Sequence, residues 1–181
     1  MNWNSTKSGY GWWLITLHWL MLLLIAAVYA TMELKSIFPK GSPGRELMAI
    51  WHYMLGLLVF FLVWLLLLVR LAGSDPVIEP ALPVWQALSA KLIHRALYLL
   101  MIAMPLLGWL ILSSKGTPVP FFGLNLPALI GENKELAKWL KEGHEAIATA
   151  GYFLIGIHAA AALYHHYARR NNTLRMMWYG R

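Results

Sequence analysis

Histidine is the side chain in this sequence best placed to do chemistry. Residues 143–167 read GHEAIATAGYFLIGIHAAAALYHHY, apolar enough to cross a membrane yet carrying four histidines. His144, Gly151, His158 and His165 recur every seven residues, so a helix sets them on nearly one face. At about 1.5 Å of rise per residue, His144 and His158 stand roughly 21 Å apart along that helix. The hydrocarbon layer of a bilayer is about 30 Å thick. Two imidazoles near opposite edges of a membrane, with a glycine halfway, ask for two separate cofactors.

The elements that must position them are apolar segments at about 12–32, 47–71, 92–112 and 143–167. Each approaches the roughly twenty residues a span requires. Hydrocarbon satisfies no backbone polar groups, so the segments are expected to be helices. Pro105 predicts a kink in the third. The expected fold is an all-α membrane protein, a four-transmembrane-helix bundle forming a single membrane domain over 1–181.

Composition agrees. Of 181 residues 59 % are hydrophobic and 13 % charged, which suits an integral membrane protein better than a water-soluble domain. The net charge of +7 does not point to nucleic acid, because the basic residues cluster beside the apolar spans. There is no cysteine, which excludes disulfides, iron–sulfur clusters and covalent haem attachment through C-x-x-C-H. Lys7, the following apolar run and Val28-Tyr29-Ala30 resemble a signal peptide. The run is longer than a usual signal core and contains His18, so it reads as a retained membrane helix.

The connections differ in character. Residues 36–46 form a short Pro/Gly turn region, and 72–90, with Pro76, Pro80 and Pro83, an extended loop. Residues 113–142 begin Pro/Gly-rich with aromatics suited to an interface. They end in ENKELAKWLKE, whose spacing and alternating charge predict a short surface helix leading into span four. Trp3, Trp12, Trp13, Trp85 and Trp178 sit at span ends as interface anchors.

Four spans put both termini on one side, with eight basic residues there and seven on the other. The four arginines after the last span, Arg169, Arg170, Arg175 and Arg181, favour cytoplasmic termini in a bacterial inner (cytoplasmic) membrane. Six glutamates share the outer side with its seven cations, leaving a net of about +1.

Ionisable residues inside a membrane are rare and usually functional. Depth along the spans pairs His52 with His144 at the outer level. At the inner level His158 can pair with either His18 or His94. Two histidines facing each other at one depth, without carboxylate or thiolate, suit bis-imidazole ligation of haem iron. Gly56, Ala148 and Gly151 leave room for a flat macrocycle, although small residues also serve plain helix packing. Zinc or copper also takes histidine, but the two pairs lie too far apart to share one metal.

Three stretches carry a resemblance: ITLHWLMLLLIAAVYATMEL around His18, IWHYMLGLLV around His52, and WLKEGHEAIATAGYFLIGIHAAAALYHHY followed by NNTLRMM. Across almost the whole chain the sequence resembles the bacterial cytochrome b561 family of small di-haem membrane cytochromes, and in particular its superoxide-oxidising members. The resemblance implies two haem b groups, ligated by His18 with His158 on the inner side and by His52 with His144 on the outer. It assigns the inner partner to His18 and leaves His94 for another role. With Trp19, Arg70 and Arg95, His94 is a candidate for a quinone pocket or for haem propionates. His165 and His166, at the exit of span four, are expected at the headgroup level.

The same resemblance implies oxidation of superoxide to oxygen at the outer, periplasmic face and delivery of electrons to ubiquinone. Arg45, Lys115, Lys138 and Lys141 are then candidates for steering a small anion. Lys134 and Lys138 read equally well as parts of a solvated helix. Membrane lipid, quinone and superoxide are the expected partners, and a protein partner is permitted but not required. The alternative is a membrane electron-transfer subunit linking a dehydrogenase or hydrogenase to the quinone pool. A haem-free cation carrier is disfavoured, because no Asp or Glu lies deep within the spans.

Overall fold

The computed structural model describes residues 5–7 and 9–178; Trp3 and Arg181, counted above, lie outside them. Four helices are long and apolar enough to cross a membrane: α1 (Trp12–Lys35), α2 (Pro43–Ala72), α3 (Val84–Ser114) and α4 (Lys134–Tyr167). Each extends beyond the apolar window that predicted it. The helix expected at the end of the third connection runs without a break into span four as the first turns of α4.

Local chemistry sets the helix ends. Ser42 caps α2, its hydroxyl accepting from the Arg45 amide over 3.4 Å, and Pro43 takes the first helical position, where no amide donor is needed. Asn133 caps α4, its side-chain oxygen accepting from the Leu136 amide over 3.0 Å. The end of α3 is a left-handed cap at Gly116 (φ +66). There the Thr117 amide donates to the Leu112 carbonyl and the Gly116 amide to Ser113. A Cβ on Gly116 would run into the Glu132 side chain. Pro105 lies inside α3, which is helical throughout.

The third connection also carries a hairpin, β1 (Val119–Phe121) with β2 (Leu124–Leu126), in antiparallel register with Val119 opposite Leu126. Its two-residue turn has positive φ at both Phe122 (46°) and Gly123 (89°), the signature of a type I′ turn.

The chain divides into two compact units, each with portions of all four helices. One comprises Met1–Leu20, Trp64–Leu99 and Ala150–Arg181; the other comprises Met21–Val63 and Leu100–Thr149. In the second unit Leu57, Leu112 and Val119 form a buried cluster backed by Tyr53, Trp109, Phe121 and Leu126. Thus the hairpin packs its own apolar side chains against α2 at Tyr53 and Leu57 and against α3 at Trp109 and Leu112. In the first unit Leu14, Ile15, Leu17, Leu66 and Met176 are buried. Leu23, Leu68, Leu99 and Phe153 are each more than 60 % exposed, a pattern that suits helices whose outer solvent is lipid. Trp12, Trp13, Trp85 and Trp178 are exposed at helix ends, as interface anchors should be.

Candidate functional site

Each unit brings one pair of imidazoles together. In the second unit His52 of α2 and His144 of α4 face each other with ring centroids 6.2 Å apart and planes at 74°. In the first unit His18 of α1 and His158 of α4 stand with centroids 6.2 Å apart and planes at 58°. Metal–imidazole bonds are about 2 Å long, and a ring centroid lies roughly one bond length behind its nitrogen. Two imidazoles on opposite sides of one ion therefore have centroids about 6 Å apart, as both pairs do. No group of three or more His, Cys, Asp or Glu side chains suited to a metal occurs among the described residues. The pairs fit a metal whose other ligands are not protein.

Hydrogen bonding prepares one ring of the His52–His144 pair. His52 Nδ1 lies 3.0 Å from the Val28 carbonyl of α1. A carbonyl only accepts, so Nδ1 carries the proton and Nε2 keeps its lone pair for a metal. His144 differs: its buried Nδ1 makes no aligned hydrogen bond, and the backbone group within reach of the ring is the Met104 carbonyl of α3. That ring lies against α3, its Cε1 3.8 Å from where a Cβ on Gly108 would be. A Cβ on Gly56, one turn beyond His52, would meet nothing within 4 Å. Gly151 is buried.

His94 of α3 is also beside His158, with centroids 5.2 Å apart and planes at 75°. That separation is about 1 Å short of the spacing shared by the other two pairs. Arg70 and Asp75 lie within electrostatic reach of His94. They form an ion pair with each other, though without an aligned hydrogen bond. The Arg70 guanidinium also lies 5.7 Å from the Tyr10 ring centre. Burial pushes the Tyr10 phenol up from its ordinary pKa, Arg70 pulls it back, and Asp75 adds to the rise.

Trp19 meets His18 edge-on, at 5.4 Å between centroids, and its indole N–H donates to the Met177 carbonyl over 2.8 Å. Arg95 is exposed. His165 is engaged at the end of α4: its Nδ1 lies 3.1 Å from the Asn171 side-chain nitrogen, and its carbonyl accepts from the Asn171 amide. His166 Nδ1 is buried without a partner.

The cations of the second unit gather around a residue that sequence reasoning had only counted. Lys35, at the end of α1, stands within electrostatic reach of Arg45, Lys115 and Lys141, with Glu145 in the same group. His52 in turn feels the Lys35 charge. Arg45 also caps α1, donating to the Lys35 and Phe38 carbonyls over 3.0 Å each. Lys141 pairs with Glu145 at 2.8 Å, and Lys138 pairs more loosely with Glu142 at 4.0 Å. Lys115 makes no ion pair among the described residues. Val28 and Tyr29 stand out in the sequence only as part of a cleavage-like tripeptide, and Lys35 only as one of the outer cations. A backbone carbonyl carries no sequence signal, whereas the position of Lys35 at the end of a span could have flagged it.

Comparison with known proteins follows this geometry. The family described as prokaryotic cytochrome b561 matches residues 9–180. Cytochrome b561 homolog 1 of Escherichia coli (strain K12) is 44 % identical over 164 residues, covering 90 % of this chain and 93 % of the relative. A Yersinia pestis protein described as probable superoxide oxidase CybB is 36 % identical over 165 residues, covering 90 % and 92 %. Cytochrome b561 homolog 2 of E. coli is 27 % identical over 184 residues, covering 98 % and 95 %.

Proposed function

The chain belongs to the prokaryotic cytochrome b561 family, and from that premise we propose that it is a di-haem membrane oxidoreductase that oxidises superoxide at the periplasmic face and reduces ubiquinone. The family makes it a haem b protein and a bacterial multi-pass membrane protein. Two superoxide anions give up one electron each and leave as two molecules of oxygen. One ubiquinone takes both electrons with two protons and leaves as ubiquinol.

The observation that carries the reading is the equal 6.2 Å spacing of His18–His158 and His52–His144. We assign those four histidines as the residues that would hold two haem b groups through their iron. The residues fit the group: the rings are spaced for one ion, His52 is held in the ligating tautomer, and space is open over Gly56. Bound haem supplies a reversible one-electron couple, which lets a one-electron donor serve a two-electron acceptor. The fourteen residues from His144 to His158 correspond to about 21 Å of rise along α4. His94, at 5.2 Å from His158, is too close to share an ion across from it and is freed for another task.

The substrate reading comes from the Yersinia pestis relative and from the cations near His52. Lys35, Arg45, Lys115 and Lys141 raise the local concentration of a small anion beside the outer pair, Lys115 with no ion pair among the described residues. Lys138, which is not among the groups within reach of Lys35, contributes least. In the first unit His94, Arg70 and Trp19 supply polar groups for a quinone head or haem propionates, with Arg95 exposed. Both termini are assigned to the cytoplasm of the inner membrane, so the lysine cluster faces the periplasm. The test is to mix oxidised pure protein with superoxide: b-type absorbance bands of the reduced form appear within the mixing experiment. A protein that stays oxidised, or that purifies only with a larger dehydrogenase and reacts only through it, contradicts the proposal.

A further inference from the structure

The two imidazoles of the outer pair are held by different means. His52 has its own hydrogen bond, to Val28. The buried Nδ1 of His144 has no aligned one, only the Met104 carbonyl of α3 within reach, so the setting of that ring is inherited largely from the backbone of α4 and from its seat against Gly108. The residue after Val28 reaches that backbone. The Tyr29 hydroxyl donates to the Ala148 carbonyl over 2.9 Å. Ala148 lies one turn beyond His144, and in an α-helix its amide donates to the His144 carbonyl. The bond from Tyr29 thus acts on the turn of α4 that carries His144, and consecutive residues of α1 grip both members of the pair.

We propose that Tyr29 is the positioning residue of the His52–His144 pair, its hydroxyl holding α4 at Ala148 so that the His144 ring keeps its plane and spacing opposite His52. The inference rests on the ligand assignment above. Ligand-plane angle is a property the iron reports directly: the low-spin electron paramagnetic resonance signal of a bis-imidazole haem depends on the angle between its rings, here 74°. A tyrosine that merely stapled two helices would, when weakened, loosen the fold without singling out one signal.

The test compares the purified full chain with its Tyr29→Phe and His144→Ala variants, read by haem content and by resonance spectra of the oxidised proteins. Phenylalanine keeps the ring and its packing and removes only the hydroxyl. The second haem, in the same sample, reports whether the fold survives. Tyr29→Phe is expected to shift or lose one of two low-spin signals, the one missing in His144→Ala, while the other stays unchanged. Two unchanged signals, two signals that move together, or loss of both haems overturns the role of Tyr29. If His144→Ala retains both signals, the ligand assignment has failed and the positioning role fails with it. If His144→Ala loses one signal and Tyr29→Phe changes neither, only the role of Tyr29 has failed.

Discussion

His52 donates its Nδ1 proton to the Val28 carbonyl over 3.0 Å, and its ring faces His144 with 6.2 Å between centroids. The bond fixes which nitrogen is free, and the spacing leaves room for one ion between the rings. The His18–His158 pair repeats the spacing on the same helix α4. A pair of histidines is too few to hold a naked metal ion firmly. It is the right number when a porphyrin supplies the remaining ligands.

His52→Ala and His144→Ala are each expected to lower haem content from two groups per chain to one, and a variant combining His52→Ala with His18→Ala to none. Pyridine haemochrome assay against protein concentration gives the ratio. Retention of both haems in any single variant removes that histidine from the ligand set.

His94 separates ligation from substrate handling. Its 5.2 Å spacing to His158 predicts that His94→Ala keeps two haems with unchanged b-type spectra. Its loss is expected to slow quinone-linked turnover by about 10-fold, the worth of one hydrogen bond to a buried polar group. Reduction of the protein by superoxide should continue at its former rate. Loss of a haem in this variant returns His94 to the inner ligand set.

Steering by the cations makes a prediction about salt. A double Lys35→Gln, Lys115→Gln variant is expected to lose on the order of 10-fold in superoxide reactivity at low ionic strength. The difference should shrink near physiological salt, where the screening length is about 8 Å. Lys138→Gln, which removes a cation outside the group around Lys35, is expected to change little. Rapid mixing at two salt concentrations measures all three. Equal salt dependence in every variant argues that the cluster does not guide the substrate.

Much of this architecture can be read from sequence because a bilayer narrows the choices. Long apolar segments must be helices, and histidines inside them stand out against leucine and valine. The depth argument therefore reached His52 and His144 unaided. At the inner level it left His18 and His94 level, because depth alone cannot show which ring faces His158 at 6.2 Å and which at 5.2 Å. The hairpin stayed hidden because Phe122, at φ 46°, occupies a turn position where asparagine or aspartate would have signalled it. The cation cluster around Lys35 and the grip of Val28 and Tyr29 depend on which helices meet, and periodicity within one helix carries no such information. The Asn171–Asn172 segment is similar. Asn172 accepts from the Glu79 amide through its side-chain oxygen and donates to the Val77 carbonyl, tying the chain after α4 to the loop after α2.

The central claim is that this cytochrome couples superoxide oxidation to ubiquinone reduction. The most direct test is stopped-flow superoxide consumption by the purified protein, with and without oxidised ubiquinone. Consumption that accelerates with quinone and forms one ubiquinol for every two superoxide anions is the predicted result. Consumption indifferent to quinone, or the absence of ubiquinol, contradicts it.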